Sequence, residues 1–151
     1  MCRRSGPKNG GQAQQALGRS RGGFSSKIHI LVDGLGNPLN LMLTGGHRHD
    51  ISQAEALLEN FDSENVIADK GYDSDDFIEF IIAREAVAVI PPRVNRTESR
   101  EYDKELYKER HLVECCINKL KQYRRIFSRY EKLASRYLGF LKFAATLIWL
   151  R

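Results

Sequence analysis

The segment Tyr107-Lys-Glu-Arg110-His-Leu-Val-Glu114-Cys-Cys-Ile-Asn-Lys-Leu-Lys121 has no Gly and no Pro and is built of good helix formers, so it reads as a helix. At about 100° per residue, Tyr107, Arg110, Glu114 and Lys121 fall within roughly 60° of one another. Leu106, Val113, Cys116, Ile117, Leu120 and Phe127 lie mostly on the other side. One face is therefore expected to bury. The other carries a carboxylate between an Arg one turn before it and a Lys two turns after it. The plainer reading is a wet face of an amphipathic helix. The sharper one is a site where the acid binds a metal ion and the cations hold phosphate oxygens.

The rest of the chain supplies the context. Lys27–Val32 and Leu39–Thr44 are strand-like runs around the turn-rich Asp33-Gly-Leu-Gly-Asn-Pro38, which predicts an antiparallel hairpin. Asp33 reads as turn chemistry rather than as a ligand. Gly45-Gly-His47-Arg-His49-Asp50 reads as a loop with Asp50 capping a helix over Ile51–Asn60. His47 and His49 lack the further ligands a zinc site needs. Asn65–Ala68 and Ala86–Ile90 are short apolar runs, expected as buried strands, the second ended by Pro91 and Pro92. Asp69 is the first residue off the earlier strand. Open α/β sheets place their chemistry at such strand ends. Asp73 is expected to cap the helix Ser74–Arg84, with Asp75 and Asp76 complementing its dipole. Asp103 is expected to cap the helix of the opening paragraph, which should run to about Tyr123. A last helix, Leu133–Leu150, sets Leu138, Leu141, Ala144, Ala145 and Ile148 near one stripe that should cover the sheet.

Composition narrows the class. Of 151 residues, 42% are hydrophobic and 28% charged, enough for one core and unlike a disordered chain. The net charge of +5, from 24 Lys and Arg against 19 Asp and Glu, favours a polyanionic partner. Three cysteines make neither a disulfide framework nor a metal site, which suits a reduced, cytoplasmic protein. The apolar run Phe143–Leu150 is too short to span a bilayer, so no membrane partner is expected. Residues 1–22, with Arg3, Arg4, Lys8, Arg19 and Arg21 among Gly, Gln and Ser, read as a mobile basic arm before a domain over 23–151.

Tyr107, Arg110, Glu114 and Lys121, at this spacing, resemble the signature helix of DDE transposases of the bacterial insertion sequence four and five type. The resemblance runs from about Gly22 to the end. It also includes Gly22-Gly-Phe-Ser-Ser-Lys-Ile-His29, the Asp33–Pro38 turn, Ala68-Asp69-Lys-Gly71-Tyr72 and Arg129-Tyr-Glu-Lys132. It implies an α/β, ribonuclease-H-like mixed sheet flanked by helices. It implies phosphoryl transfer on DNA with Mg²⁺ or Mn²⁺, at transposon ends and target, in a nucleoid-associated protein. Asp69 would be the second catalytic aspartate and Glu114 the glutamate, both as metal ligands. Arg110 and Lys121 would clamp phosphates, and Tyr107 would hydrogen-bond one at the DNA end.

The family's first aspartate lies on a strand before the hairpin. No Asp or Glu precedes Asp33 here, so the chain resembles an N-terminally truncated, downstream part of such an enzyme. An upstream segment, as a separate piece or a frameshift product, is then the expected partner, and self-association is left open. Forty-five positions separate Asp69 from Glu114, too few for the large β-rich insertion of some relatives. Two rivals stand beside this reading. One is a DNA-binding fragment without catalysis that modulates transposition. The other is a ribonuclease-H-like nuclease, which would leave the Tyr, Arg and Lys pattern unexplained.

Overall fold

The computed structural model describes residues 15–20, 23–96 and 100–150. Strand β1 (Gly18–Ser20) pairs antiparallel with the start of β2 (Gly23–Val32), and β2 pairs antiparallel with β3 (Pro38–Gly45). The expected hairpin is present and longer at both ends. Its turn is fastened by Asp33, which accepts from the Leu35 and Asn37 amides and from the Asn37 side chain. Gly36 takes a positive φ of 81°, where a Cβ would be strained.

A 3₁₀ turn (Asp50–Gln53) leads into the short helix α1 (Ala54–Leu58). The long Ile51–Asn60 helix does not form, and Asp50 is not its cap. The Asp50 carboxylate turns instead to Lys27, 3.2 Å away. Ala54, Leu57 and Leu58 still bury as the pattern requires. Strand β4 (Asn65–Ile67) pairs parallel with β5 (Val87–Val89), joined through helix α2 (Asp75–Ile82). The cap of α2 is Ser74, whose hydroxyl accepts from the Phe77 amide; the expected cap, Asp73, is buried and used otherwise. Ser74 wins because its extended backbone immediately precedes the helix, which is the geometry a cap needs.

Asp103 accepts from the Glu105 and Leu106 amides and caps the next helix as expected. That helix is not continuous. It runs as α3 (Lys104–Tyr107), a 3₁₀ turn (Lys108–Arg110) and α4 (His111–Lys121). It stops short of Tyr123, whose extended backbone starts α5 (Arg124–Phe127). The helical phase restarts there, so Ile126 is buried and Phe127, expected on the apolar side, is exposed. Helix α6 (Ala134–Trp149) packs against β3 and buries Leu141, Ala144, Ala145 and Ile148 of the expected stripe; Tyr137 is buried with them, while Leu138 is only half-buried. The Trp149 indole donates to the Pro38 carbonyl. Among the described residues no helix is long and apolar enough to cross a membrane.

One mixed sheet was expected. The structure holds both antiparallel and parallel pairs, but in two separate sheets, β1-β2-β3 and β4-β5. The core is split in the same way. One cluster joins Leu41, Cys116, Leu120, Tyr137 and Leu141 with Ile28, Ile30 and Val32. The other joins Ala54, Leu58, Phe77, Ile81 and Ile90 with Leu31 and Val66. Alternate β2 residues serve different cores because successive side chains leave a strand on opposite faces.

The start of the described chain is docked. Arg129 donates to the Gln15, Ala16, Glu131 and Lys132 carbonyls and to the Ser26 hydroxyl, with its guanidinium 5.2 Å from the Tyr137 ring centre. Residues 15–20, read as part of the arm, are thus tied to the domain. The arm's Arg3, Arg4, Lys8 and Arg21 lie outside the described residues, and nothing is described of the Arg19 side chain.

Candidate active site

Asp69 follows β4 directly. Its backbone is extended and its Oδ1 accepts from the Gly71 amide at 2.7 Å, so the carboxylate is held at the mouth of the following 3₁₀ turn (Lys70–Tyr72). Gly71 suits this contact, because a Cβ there would lie 2.8 Å from the same oxygen. On the other wall, α4 presents Glu114. Arg110 Nη2 donates to Glu114 Oε1 at 2.6 Å, one helical turn away. This hydrogen bond is the main reason the guanidinium holds its proton more tightly than usual. Burial opposes it, and the fields of Glu114, Tyr107 and Asp69 add to it.

Asp69, Arg110 and Glu114 line one cleft, a cavity of about 370 Å³ that also takes in Lys27, His29, Asp50 and Tyr72. Burial, followed by the fields of Asp50 and Asp69, pushes the Tyr72 phenol up to about 12. It stays a neutral hydrogen-bonding group beside the carboxylates. The cleft therefore gathers three carboxylates and two cations from four separated stretches of chain.

The other expected site residues sit differently. Tyr107 lies just before the 3₁₀ turn that carries Arg110 and packs edge-on against Tyr102, ring centres 5.5 Å apart. Lys121 is exposed at the far end of α4 and does not line the cleft. His49 lines a neighbouring hollow with Lys70 and Arg93, and His47 lines neither.

Sequence reasoning missed Lys27, His29 and Asp50 as cleft residues. His29 had no local signal, because it alternates within a strand. Its ring is buried, with Nε2 2.7 Å from Thr44 Oγ1 and Nδ1 3.6 Å from Asp50. Also missed was the use of Asp73. It accepts from the Arg93 amide and pairs with Arg96 and Arg100, fixing the basic loop after β5. Arg93 in turn donates to the Lys70 and Gly71 carbonyls, so the loop braces the turn that carries Asp69.

Asp69 and Glu114 offer hard oxygen ligands, the type that suits Mg²⁺ or Mn²⁺. Among the described residues, however, no three His, Cys, Asp or Glu side chains group closely enough to hold a metal ion. The donor type of these two carboxylates fits a divalent cation.

Comparison with known proteins bears on this arrangement. Residues 3–149 match the family model described as transposase DDE domain. The chain is 43% identical over 130 residues to a Brucella ovis protein described as a transposase for insertion sequence element IS6501, covering 85% of this chain and all of that one. It is 33% identical over 135 residues to a Burkholderia cepacia protein described as a transposase for insertion sequence element IS402. That match covers 82% of this chain and 62% of the relative, so the chain spans less than two thirds of that protein's length. No solved structure matches. With a family model spanning nearly its whole length and a relative matched from end to end, the chain belongs to the DDE-domain transposases of bacterial insertion sequences.

Proposed function

We propose that this chain carries the downstream part of a ribonuclease-H-like transposase site that cuts DNA at the ends of an insertion sequence and joins those ends to a target. The observation that supports this most is the shared cleft of Asp69 and Glu114, with Arg110 bonded to the glutamate. Asp69 and Glu114 would hold Mg²⁺ or Mn²⁺, which supplies charge stabilisation to the attacking and leaving oxygens of phosphoryl transfer when bound. Arg110 neutralises a DNA phosphate oxygen beside the carboxylates, and the phenol of Tyr107 donates to a phosphate at the DNA end. Lys121, two turns beyond Glu114, contacts the backbone farther out. The basic arm, residues 1–22, adds phosphate contacts to the catalytic domain over 23–151. The protein works in the cytoplasm on nucleoid DNA.

The site is incomplete in this reading, because two-metal chemistry needs a further carboxylate beside Asp69 and Glu114. An upstream transposase segment brings it, either in a frameshifted product or as a separate piece. The shortage of a third ligand among the described residues also favours a second reading, a DNA-binding fragment that modulates transposition without cutting.

Strand cleavage of a DNA carrying the element's ends, with Mg²⁺ or Mn²⁺, separates the two. The chain alone is expected not to cut. The chain fused to or coexpressed with the upstream segment is expected to cut and to lose this with Asp69→Asn or Glu114→Gln. A completed protein that binds but never cuts favours the second reading. Robust cleavage by the 151-residue chain alone, lost in Glu114→Gln, overturns the incomplete site. Asp50 is then the next residue to mutate, since Asp33 is spent on its turn.

A further inference from the structure

Gly71 joins two sites. Its amide donates to Asp69 Oδ1 at 2.7 Å, and its carbonyl accepts from Arg93 Nη2 at 2.7 Å. Asp69 lines the cleft with Arg110 and Glu114. Lys70, Gly71 and Arg93 line a separate hollow of about 420 Å³, together with His49, Asp50 and Asn95. Asp50 borders both. The hollow therefore opens right beside the carboxylate of the cleft, from the same short turn.

Arg93 is fixed there at three points. Its amide donates to the buried Asp73 at 2.8 Å, its Nε to the Lys70 carbonyl at 3.2 Å and its Nη2 to the Gly71 carbonyl. Carbonyls orient a guanidinium but do not cancel its charge. Among the described residues no carboxylate forms an ion pair with Arg93 or with Lys70. The neighbouring Arg96 and Arg100 are different, since Asp73 and Asp75 pair with both. The acid that lines the hollow, Asp50, stands 3.2 Å from Lys27 Nζ, so its charge is matched from the cleft side. Two cations thus face the hollow against one carboxylate that is already paired.

The remaining polar groups are donors without work in the fold. The Lys70 ammonium, the His49 ring and the Asn95 amide have no hydrogen-bond partner among the described residues. A guanidinium held in advance loses little freedom on meeting an anion. Phosphate oxygens accept from all four of these groups, and such contacts carry no sequence information.

We propose that this hollow is a second phosphate subsite, in which Arg93, Lys70, His49 and Asn95 hold the DNA backbone next to the phosphate that reacts at Asp69, whatever its sequence. This rests on the reading above that Asp69 belongs to a DNA-cutting site. It adds a backbone contact on the turn of Asp69 to those of Tyr107, Arg110 and Lys121 on the α3–α4 segment. The Gly71 link makes the two ends of the device one unit, because the residue that positions the carboxylate also positions the cation.

The test is fluorescence anisotropy of the full chain with two short duplexes of unrelated sequence, across a salt series. Lys70→Ala should weaken both duplexes alike, by at least about threefold at low salt, and flatten the log–log slope by about 0.9. Asn95→Phe, which fills the hollow without changing the charge, should weaken both as well. Lys142→Ala removes the same charge from an exposed position on α6 that lines neither cavity, and should leave affinity nearly unchanged. By NMR, DNA should shift the Lys70, Gly71 and Asn95 amide signals, and should still do so in Arg110→Ala. Equal losses in Lys70→Ala and Lys142→Ala, loss on one duplex only, or no effect of Asn95→Phe would each overturn the proposal. So would inorganic phosphate saturating these amides while Lys70→Ala leaves DNA affinity intact, which would make the hollow a small-anion site. The two readings fail separately. DNA binding that needs Arg110 but ignores Lys70 sinks this inference alone. Binding that needs Lys70, with no cleavage by the completed protein, sinks the active-site reading alone.

Discussion

Arg110 closes on Glu114 at 2.6 Å, on the wall of the cleft that Asp69 shares. The side chains are 35% and 57% exposed, so water screens the pair and it stabilises the fold by at most ~1 kcal/mol. An Arg placed before a Glu at this spacing is also the less favourable order for a helix. The contact therefore does little for the helix. In the site proposed above, breaking it would cost little, so Glu114 would be free for a metal ion and the guanidinium for phosphate.

Removing the guanidinium should expose that exchange. Arg110→Ala is expected to tighten Mn²⁺ binding to the isolated chain about two- to fivefold, the equivalent of a half-exposed ion pair, and to weaken DNA binding. Electron paramagnetic resonance titration of Mn²⁺ reads the first effect. Unchanged or weaker Mn²⁺ binding in Arg110→Ala would mean that Glu114 is not the metal-facing carboxylate.

DNA affinity should fall steeply with salt, as counterion release requires. Arg110→Ala and Lys121→Ala should each flatten the log–log slope by about 0.9, and Tyr107→Phe should lower affinity without changing it. Fluorescence anisotropy across a salt series measures this. A wild-type slope near zero would remove the basic surface as a DNA track.

Stability should depend on pH through His29. Burial lowers its pKa below 6.5 in the fold; Asp50 opposes this and Lys27 adds to it. The unfolded chain then binds the proton more readily. Stability is full above about 6.5 and is lost as pH falls from there toward the folded value. Urea midpoints between about pH 7.5 and 5.5 should fall for the wild type and stay flatter for His29→Gln. A steeper fall in His29→Gln would assign the effect elsewhere.

Asp73 is the buried carboxylate among the described residues. Its side chain is 2% exposed and takes Arg96, Arg100 and the Arg93 amide, and the loop it fixes braces the Asp69 turn. Asp73→Ala should cost about 2–4 kcal/mol, toward the low end for a broken buried pair because the arginines can rehydrate. Asp75→Ala, at an exposed carboxylate on the same arginines, should cost less than ~1 kcal/mol. Chemical denaturation of both variants decides this, and equal losses would show that burial of Asp73 is not what matters.

The sequence by itself determined the local elements and their faces. Turn residues set the hairpin, Asp103 set the start of the α3–α4 segment, and the spacing of Leu141, Ala144, Ala145 and Ile148 set the buried side of α6. It also offered Asp69 at a strand end and Glu114 on a helix stripe as candidates, and the resemblance to the family chose chemistry over a turn and a wet face; the fold brings both to one cleft. Tertiary structure decided what no local pattern encodes. The caps moved because Asp50 and Asp73 found cations brought in from distant stretches, Lys27 for one and Arg96 with Arg100 for the other. His29 became a cleft residue only when β2 was packed beside Asp50. Strand pairing likewise depends on partners far along the chain. Only the folded molecule shows two sheets and two cores where one continuous sheet was expected.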